Sequence, residues 1–289
     1  MRLRIDRAIT VTHLRLLPRT AGRFRRIPIL MYHSISAQPH CAGRHAYFET
    51  ATAPEVFQRH CRLLREYGFE VVPLSRIPDI LTSKTAAPRA AITFDDGFAD
   101  VYENALPVLE HYQYPATAFL PTRFIDSPLP GLEGRRHLRW AQVRQLADAG
   151  VSIGSHTVDH VHLATLGLKE IERQVVESRK TIEDRLGCPT LQFSFPYKFP
   201  EAHPRLLRSF DSILSAAGYR VGVTTRIGRA RIADQPLFHR RLPVNTHDDD
   251  RLFIAKLLGA YDWLAAPQRF TKWLRRVSGS EHFAQGLKE

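Results

Sequence analysis

Two short segments of this 289-residue chain concentrate side chains that could do chemistry together: Thr93-Phe94-Asp95-Asp96-Gly97 and His156-Thr157-Val158-Asp159-His160. Adjacent carboxylates repel each other unless a cation or an arginine accepts their charge, and Gly97 lets the backbone turn sharply. Two imidazoles four residues apart can face one side of a helical turn and bind a single metal ion, as in other zinc hydrolases with this spacing. Taken alone, an Asp-Asp-Gly segment is usually only a turn, and a histidine pair at this spacing arises by chance among 14 histidines. Together the segments offer two nitrogens and a carboxylate oxygen, with a second carboxylate to spare. Three protein ligands with positions left for water make a catalytic divalent-metal site, and the spare carboxylate is placed to act as a general base.

The elements that must position these residues are legible as alternating strands and helices. Ile29–Tyr32, 69–74, 90–94, 116–120, 151–155, 191–195 and 221–225 read as strands. Helical spacing is found over 54–67, around 102–111, over 140–149, through Ile171, Val175, Ile182 and Leu186, and around 206–217. Glycines follow several of these helices, where a C-terminus favours them. Repeated βα units imply a parallel sheet with helices outside it, either a barrel or an open doubly wound sheet, with its chemistry at the C-terminal strand ends. The two aspartates, His156 and Pro196-Tyr197 each follow a strand, so three strands deliver polar groups to one end.

With these residues in place, Thr-Phe-Asp-Asp-Gly followed by His-Thr-x-x-His resembles the first two motifs of the polysaccharide deacetylases, the NodB-homology or carbohydrate esterase family 4 enzymes. The resemblance implies a distorted (β/α) barrel of seven or eight strands, spanning about residues 27 to 245. It also implies removal of acetyl groups from N-acetylglucosamine-type glycans with a divalent metal, Zn2+ before Co2+ or Ni2+. By position, Asp95 becomes the base, and Asp96, His156 and His160 become the ligands. Phe195-Pro196-Tyr197 resembles the third motif, in which the tyrosine main-chain N–H meets the oxyanion, and Pro196 is carried with it as a substrate contact. Ser194 stands where that motif has an arginine and Lys198 where it has a glycine, so a left-handed turn at 198 would be resisted. Those departures keep a second reading open, a carbohydrate-binding protein with weakened turnover.

The family's late histidine motif is not evident. Leu30-Met31-Tyr32-His33 resembles the branch containing poly-N-acetylglucosamine deacetylases and makes His33 the candidate general acid, with His239 second. Trp140 is a candidate substrate contact if it stacks on a sugar face and a packing residue otherwise. Asp159 and His162 flank the ligands as supporting groups, and Asp248-Asp249-Asp250 reads as an acidic helix start.

The net charge of +12 favours an anionic contact, such as a phospholipid surface or a lipid-linked oligosaccharide. No aromatic-rich nucleic-acid signature or zinc-finger spacing accompanies it, so nucleic acid is not an expected partner. Residues 1–26 form a basic extension, 27–250 the catalytic domain and 251–289 a helical extension. Phe253, Leu257, Leu258, Tyr261, Trp263 and Leu264 there pack on the barrel or approach a membrane. No apolar run reaches the ~18 residues of a membrane span, no secretory core is seen, and Cys41, Cys61 and Cys188 form no C-x-x-C pair. A cytoplasmic protein, peripheral to the membrane at most, is the expectation.

Overall fold

Strands covered on both faces read as near-continuous apolar runs, and several of the expected strands are buried along their whole length. The computed structural model describes residues 5–16, 25–38, 49–84, 87–128 and 131–265. Helix α1 (Ile5–Leu16) precedes strand β1 (Ile29–Tyr32), and β2 (Ser34–Ile35) pairs with β3 (Ala51–Thr52). Next come α2 (Pro54–Glu66), β4 (Glu70–Val71) and α3 (Ile77–Thr82). The central run is β5 (Arg89–Phe94), α4 (Leu106–Tyr112), β6 (Thr117–Leu120), α5 (Trp140–Asp148), β7 (Ser152–Ser155), α6 (Leu168–Leu186) and β8 (Gln192–Ser194). It ends with α7 (Pro204–Ala216), β9 (Val221–Ile227), β10 (His239–Pro243) and α8 (Asp250–Leu257).

All barrel pairings are parallel, in the order β1-β10-β9-β8-β7-β6-β5, and β1 closes the ring by pairing with β5 from Ile29↔Ala91 to Tyr32↔Phe94. The architecture is therefore a closed seven-stranded barrel with β4 attached to the start of β5. The strand expected over 69–74 is shorter, because Pro73 lacks the N–H that would continue the ladder, and Leu74–Arg76 turns into a 3-10 helix. The closing strand β10 was not anticipated, and neither was α1 within the basic extension.

The segment after Leu252 is packed and does not form a free apolar surface. Phe253, Leu257 and Tyr261 belong to the main core cluster, Leu258 and Leu264 pack against it, and the Trp263 indole N–H bonds Thr10 Oγ1 at 3.0 Å. Of the expected acidic helix start, Asp249 caps α8 by accepting from Leu252 N, and Asp250 opens it. Asp248 instead is buried and ion-paired with Lys256 at 2.5 Å. Among the described residues no helix is long and apolar enough to cross a membrane.

Behind β1, His60 is fully buried between Tyr32 and α8, stacked on Phe253 at 4.0 Å. Its Nε2 lies 3.0 Å from the Asp248 carbonyl and must donate, so Nδ1 accepts the Tyr32 hydroxyl at 3.1 Å and the ring is neutral. Burial lowers its pKa to about 4, against a smaller opposing pull from the Asp248 carbonyl, and burial does the same to His239. The unfolded chain takes up these protons near pH 6.5 and the folded chain only near 4, so acid favours unfolding through that window. From pH 7 to 5 the two histidines should cost about 2 kcal/mol each. Urea midpoints should fall over this range, above the usual carboxylate titrations, and His60→Gln should flatten the fall. An unchanged midpoint would refute the buried neutral histidines.

Candidate active site

The turn after β5 carries Asp95 and Asp96, and Gly97 follows at φ 62°, where an added Cβ would meet Leu120 Cδ2 at 3.0 Å. Asp96 itself is left-handed at φ 70°, as are Thr157, His160 and Tyr197, so among the described residues four of the six non-glycine positions with positive φ lie in the site segments. Such backbone is costly and persists where surrounding structure imposes it. The two histidines do not share a helical turn, as their spacing had suggested. They lie in an irregular loop after β7, and the left-handed residues Thr157 and His160 bring both rings to Asp96.

Asp96 Oδ1 stands 3.4 Å from His156 Nε2 and 3.0 Å from His160 Nε2. Two ligands on a tetrahedral zinc-type ion, each ~2.1 Å from it, are about 3.4 Å apart, so the separation suits such an ion. The hydrogen bonding agrees with that fit. His156 Nδ1 lies 2.8 Å from the Ser194 carbonyl and must donate to it, which leaves Nε2 as a bare lone pair facing a carboxylate. His160 Nδ1 is buried with no hydrogen-bond partner among the described residues. Burial works against ionising Asp96, but the two imidazoles on its carboxylate hold its pKa well below the usual range. Asp96, His156 and His160 thus bring together three side-chain atoms that could hold a metal ion.

Asp95 turns the other way, into the barrel, and meets a residue the sequence reading missed. Arg241, fully buried on β10, grips it with two parallel bonds, Nη1 to Oδ1 at 2.7 Å and Nη2 to Oδ2 at 2.6 Å. Its other donors reach Thr224 O at 3.1 Å, Thr93 Oγ1 at 3.2 Å and Ser194 Oγ at 3.1 Å, so all five guanidinium N–H groups are used. The Ser194 hydroxyl is 3.3 and 3.4 Å from the Asp95 oxygens and donates there. Where an arginine was expected, a small hydroxyl admits a guanidinium from another strand. Burial raises the Asp95 pKa, yet Arg241 and then His156 outweigh it and keep the carboxyl ionised below its ordinary range.

His33, directly after β1, is half-buried and close enough for its charge to act on both Asp95 and Asp96, and its Nδ1 has no hydrogen-bond partner among the described residues. Tyr197 is 54% exposed, its ring 4.7 Å from that of His160, and it is Tyr197 at φ 56°, not Lys198, that takes the left-handed backbone. Pro196 is buried and sets this turn. Two candidates fall elsewhere. Trp140 is 5% exposed in the main core under the Arg185 guanidinium, which leaves no open face for a sugar. His239 begins β10, two residues before Arg241, and its lowered pKa and a ring without a hydrogen-bond partner among the described residues suit a neutral buried group, not a proton donor.

The loop bearing the ligands is held from α6. Gln174 Oε1 accepts from Val158 N and Asp159 N, both at 3.0 Å, and its Nε2 donates to Asp159 Oδ2 at 2.6 Å. Asp159 also pairs with Arg123 and Arg173, while His162 Nε2 donates to the Lys198 carbonyl at 2.9 Å and ties this loop to the Tyr197 turn. Gln174→Leu strands two loop amides, and the cost should be about 2 kcal/mol of stability. Metal affinity should fall ~10-fold or more through the misplaced ligands. Metal titration and thermal melts measure the two effects, and an unaltered metal affinity would show that α6 does not orient the triad.

The description "polysaccharide deacetylase" belongs to the family model that matches residues 82–221, a span containing Asp95, the three ligands and Tyr197. A putative polysaccharide deacetylase, YxkH of Bacillus subtilis, is 31% identical over 210 residues, covering 71% of this chain and 66% of that protein. The chain belongs to the polysaccharide deacetylase family. Another deacetylase, the poly-beta-1,6-N-acetyl-D-glucosamine N-deacetylase of Escherichia coli K12, is 30% identical over 105 residues, 32% of this chain and 16% of its own length. The chain therefore spans about two thirds of the length of the first relative and a small part of the second. The Streptococcus pyogenes deacetylase PplD, solved with acetate, superimposes with a TM-score of 0.68 at 22% identity, over 80% of this chain and 98% of that one. At that identity the likeness speaks for the deacetylase fold alone. The matched family span stops short of β10, so Arg241 lies outside it, and β1 with His33 lies before it.

Proposed function

We propose that this protein hydrolyses the acetamide of an N-acetylglucosamine-type glycan to a free amine and acetate. The observation that carries the reading is an ionised carboxylate, Asp95, held by Arg241 beside the triad of Asp96, His156 and His160. The nitrogen-rich donor set suits Zn2+, and Co2+ or Ni2+ would use the same ligands. Held by Asp96, His156 and His160, such an ion would supply Lewis acidity to polarise the acetamide carbonyl and to lower the pKa of a water towards ~7. Asp95 accepts that water's proton as it attacks, the Tyr197 main-chain N–H donates to the developing oxyanion, and protonated His33 gives a proton to the departing amine. The name of the Escherichia coli relative supports an acetylated glucosamine polymer as substrate. The alternative, a carbohydrate-binding protein without turnover, rested on Ser194 and Lys198. Arg241 supplies the guanidinium and Tyr197 takes the left-handed backbone, so no observation favours it.

The reading is tested by loading the protein with Zn2+ and measuring free amine and acetate from N-acetylglucosamine oligomers, peptidoglycan fragments and lipid-linked acetylated sugars. Release from at least one class, abolished by chelation, is expected, and binding without release across the panel would sink it. His33→Ala should slow the sugar amide ~100-fold or more and an activated acetate ester far less, because only the amine needs protonation to leave. Equal losses on both would remove His33 from the acid role.

A further inference from the structure

Helix α1 is amphipathic and mounted with its apolar side outward. At ~100° per residue, Ile5, Ala8, Ile9, Thr12 and Leu16 share one narrow face. All five are exposed, Ile5 by 62%, Ile9 by 44% and Leu16 by 77%. The opposite face docks through polar groups, with Val11 and Leu14 half-buried beside them. Thr10 is buried and accepts from the Trp263 indole, Asp6 accepts from the Tyr261 hydroxyl at 3.2 Å, and Arg7 pairs with Asp249. A helix that only needed anchoring on its own domain would turn the isoleucines inward and Thr10 and Asp6 outward. The reverse mounting presents an apolar stripe to some other surface.

The charge around the stripe indicates which surface. Residues 1–26 hold eight arginines and one acidic residue, Asp6. Residues 266–289 continue the chain from the segment packed on α1. They carry Arg269, Lys272, Arg275, Arg276 and Lys288 against Glu281 and Glu289. Segments of like charge repel one another, so a second copy of the same basic face would meet like charge across the contact. An anionic phospholipid surface satisfies the apolar stripe and the basic flanks together. We propose that α1 lies flat on an anionic phospholipid bilayer, with Ile5, Ile9 and Leu16 entering the boundary between headgroups and acyl chains. The Arg7–Asp249 pair fixes the first turn of α1 to the loop after β10, at the same end of the barrel as Asp96 and His156.

The test is flotation of the full chain with phosphatidylcholine vesicles that contain or lack phosphatidylglycerol. The wild type should float with the anionic vesicles, more weakly as salt rises, and scarcely with the neutral ones. The triple variant Ile5→Ser, Ile9→Ser, Leu16→Ser should partition ~10-fold less or lower, with an unchanged melting curve and unchanged acetate release from a short free oligomer. A wild type that stays with the unbound fraction, or a triple variant that floats like it, overturns the proposal. So does a dimer in sedimentation that the triple variant loses without any vesicle binding, which would make the stripe an interface between copies.

Discussion

Asp95→Asn is expected to bind metal as the wild type does while acetate release falls by ~10²–10⁴-fold, the range that a general base contributes. The amide keeps the shape of the carboxylate and still accepts a hydrogen bond from Arg241, but it cannot take a proton from water. The ligand atoms on Asp96, His156 and His160 are untouched by the change, because Asp95 faces Arg241 and Asp96 faces the histidines. His156→Ala supplies the contrast. It deletes a ligand and the Ser194 carbonyl contact that orients it, so metal and turnover should disappear together. Metal content after dialysis and amine release from the same preparations separate the two outcomes. Asp95→Asn leaves the buried Arg241 charge without its anion, so it should also melt earlier, and rates are to be compared well below that transition. Wild-type turnover in Asp95→Asn would mean that another group is the base.

How far the sequence carried depended on whether a feature was local. The strands expected over 29–32, 90–94, 116–120 and 151–155, the helices ended by Gly68, Gly150 and Gly187, and the placement of Asp96, His156 and His160 at one barrel end were all legible, because each rests on a few neighbouring residues. β10 was not. Its sequence, His239-Arg240-Arg241-Leu242-Pro243, offers two arginines where a buried strand normally shows aliphatic residues; Arg241 is buried against Asp95, and Arg240 pairs with Asp234. Ser194 was read as a missing arginine because the guanidinium that replaces it comes from 47 positions away. The outward isoleucines of α1 were hidden for a similar reason. Periodicity identifies an amphipathic helix but does not tell which face the rest of the chain will take, and here polar partners at Tyr261, Trp263 and Asp249 decided it.

Arg241→Met should be the most destabilising single change at the site, and it should alter the pH dependence of whatever activity survives. Removing one member of a fully buried, bidentate pair strands the other charge, at a cost of about 3–5 kcal/mol. Burial is then the largest influence left on Asp95, so its pKa rises, and the acid limb of the rate profile should move to higher pH. A purely structural role for Arg241 would lower the melting temperature without moving that limb. The double variant Asp95→Asn, Arg241→Met distinguishes pairing from packing. With neither charge present the desolvation penalty is gone, so the double variant should recover much of the stability lost in Arg241→Met while remaining inactive. Additive losses in the double variant would mean that Arg241 acts through its bonds to Thr93, Ser194 and Thr224, and that Asp95 does not need it to stay ionised.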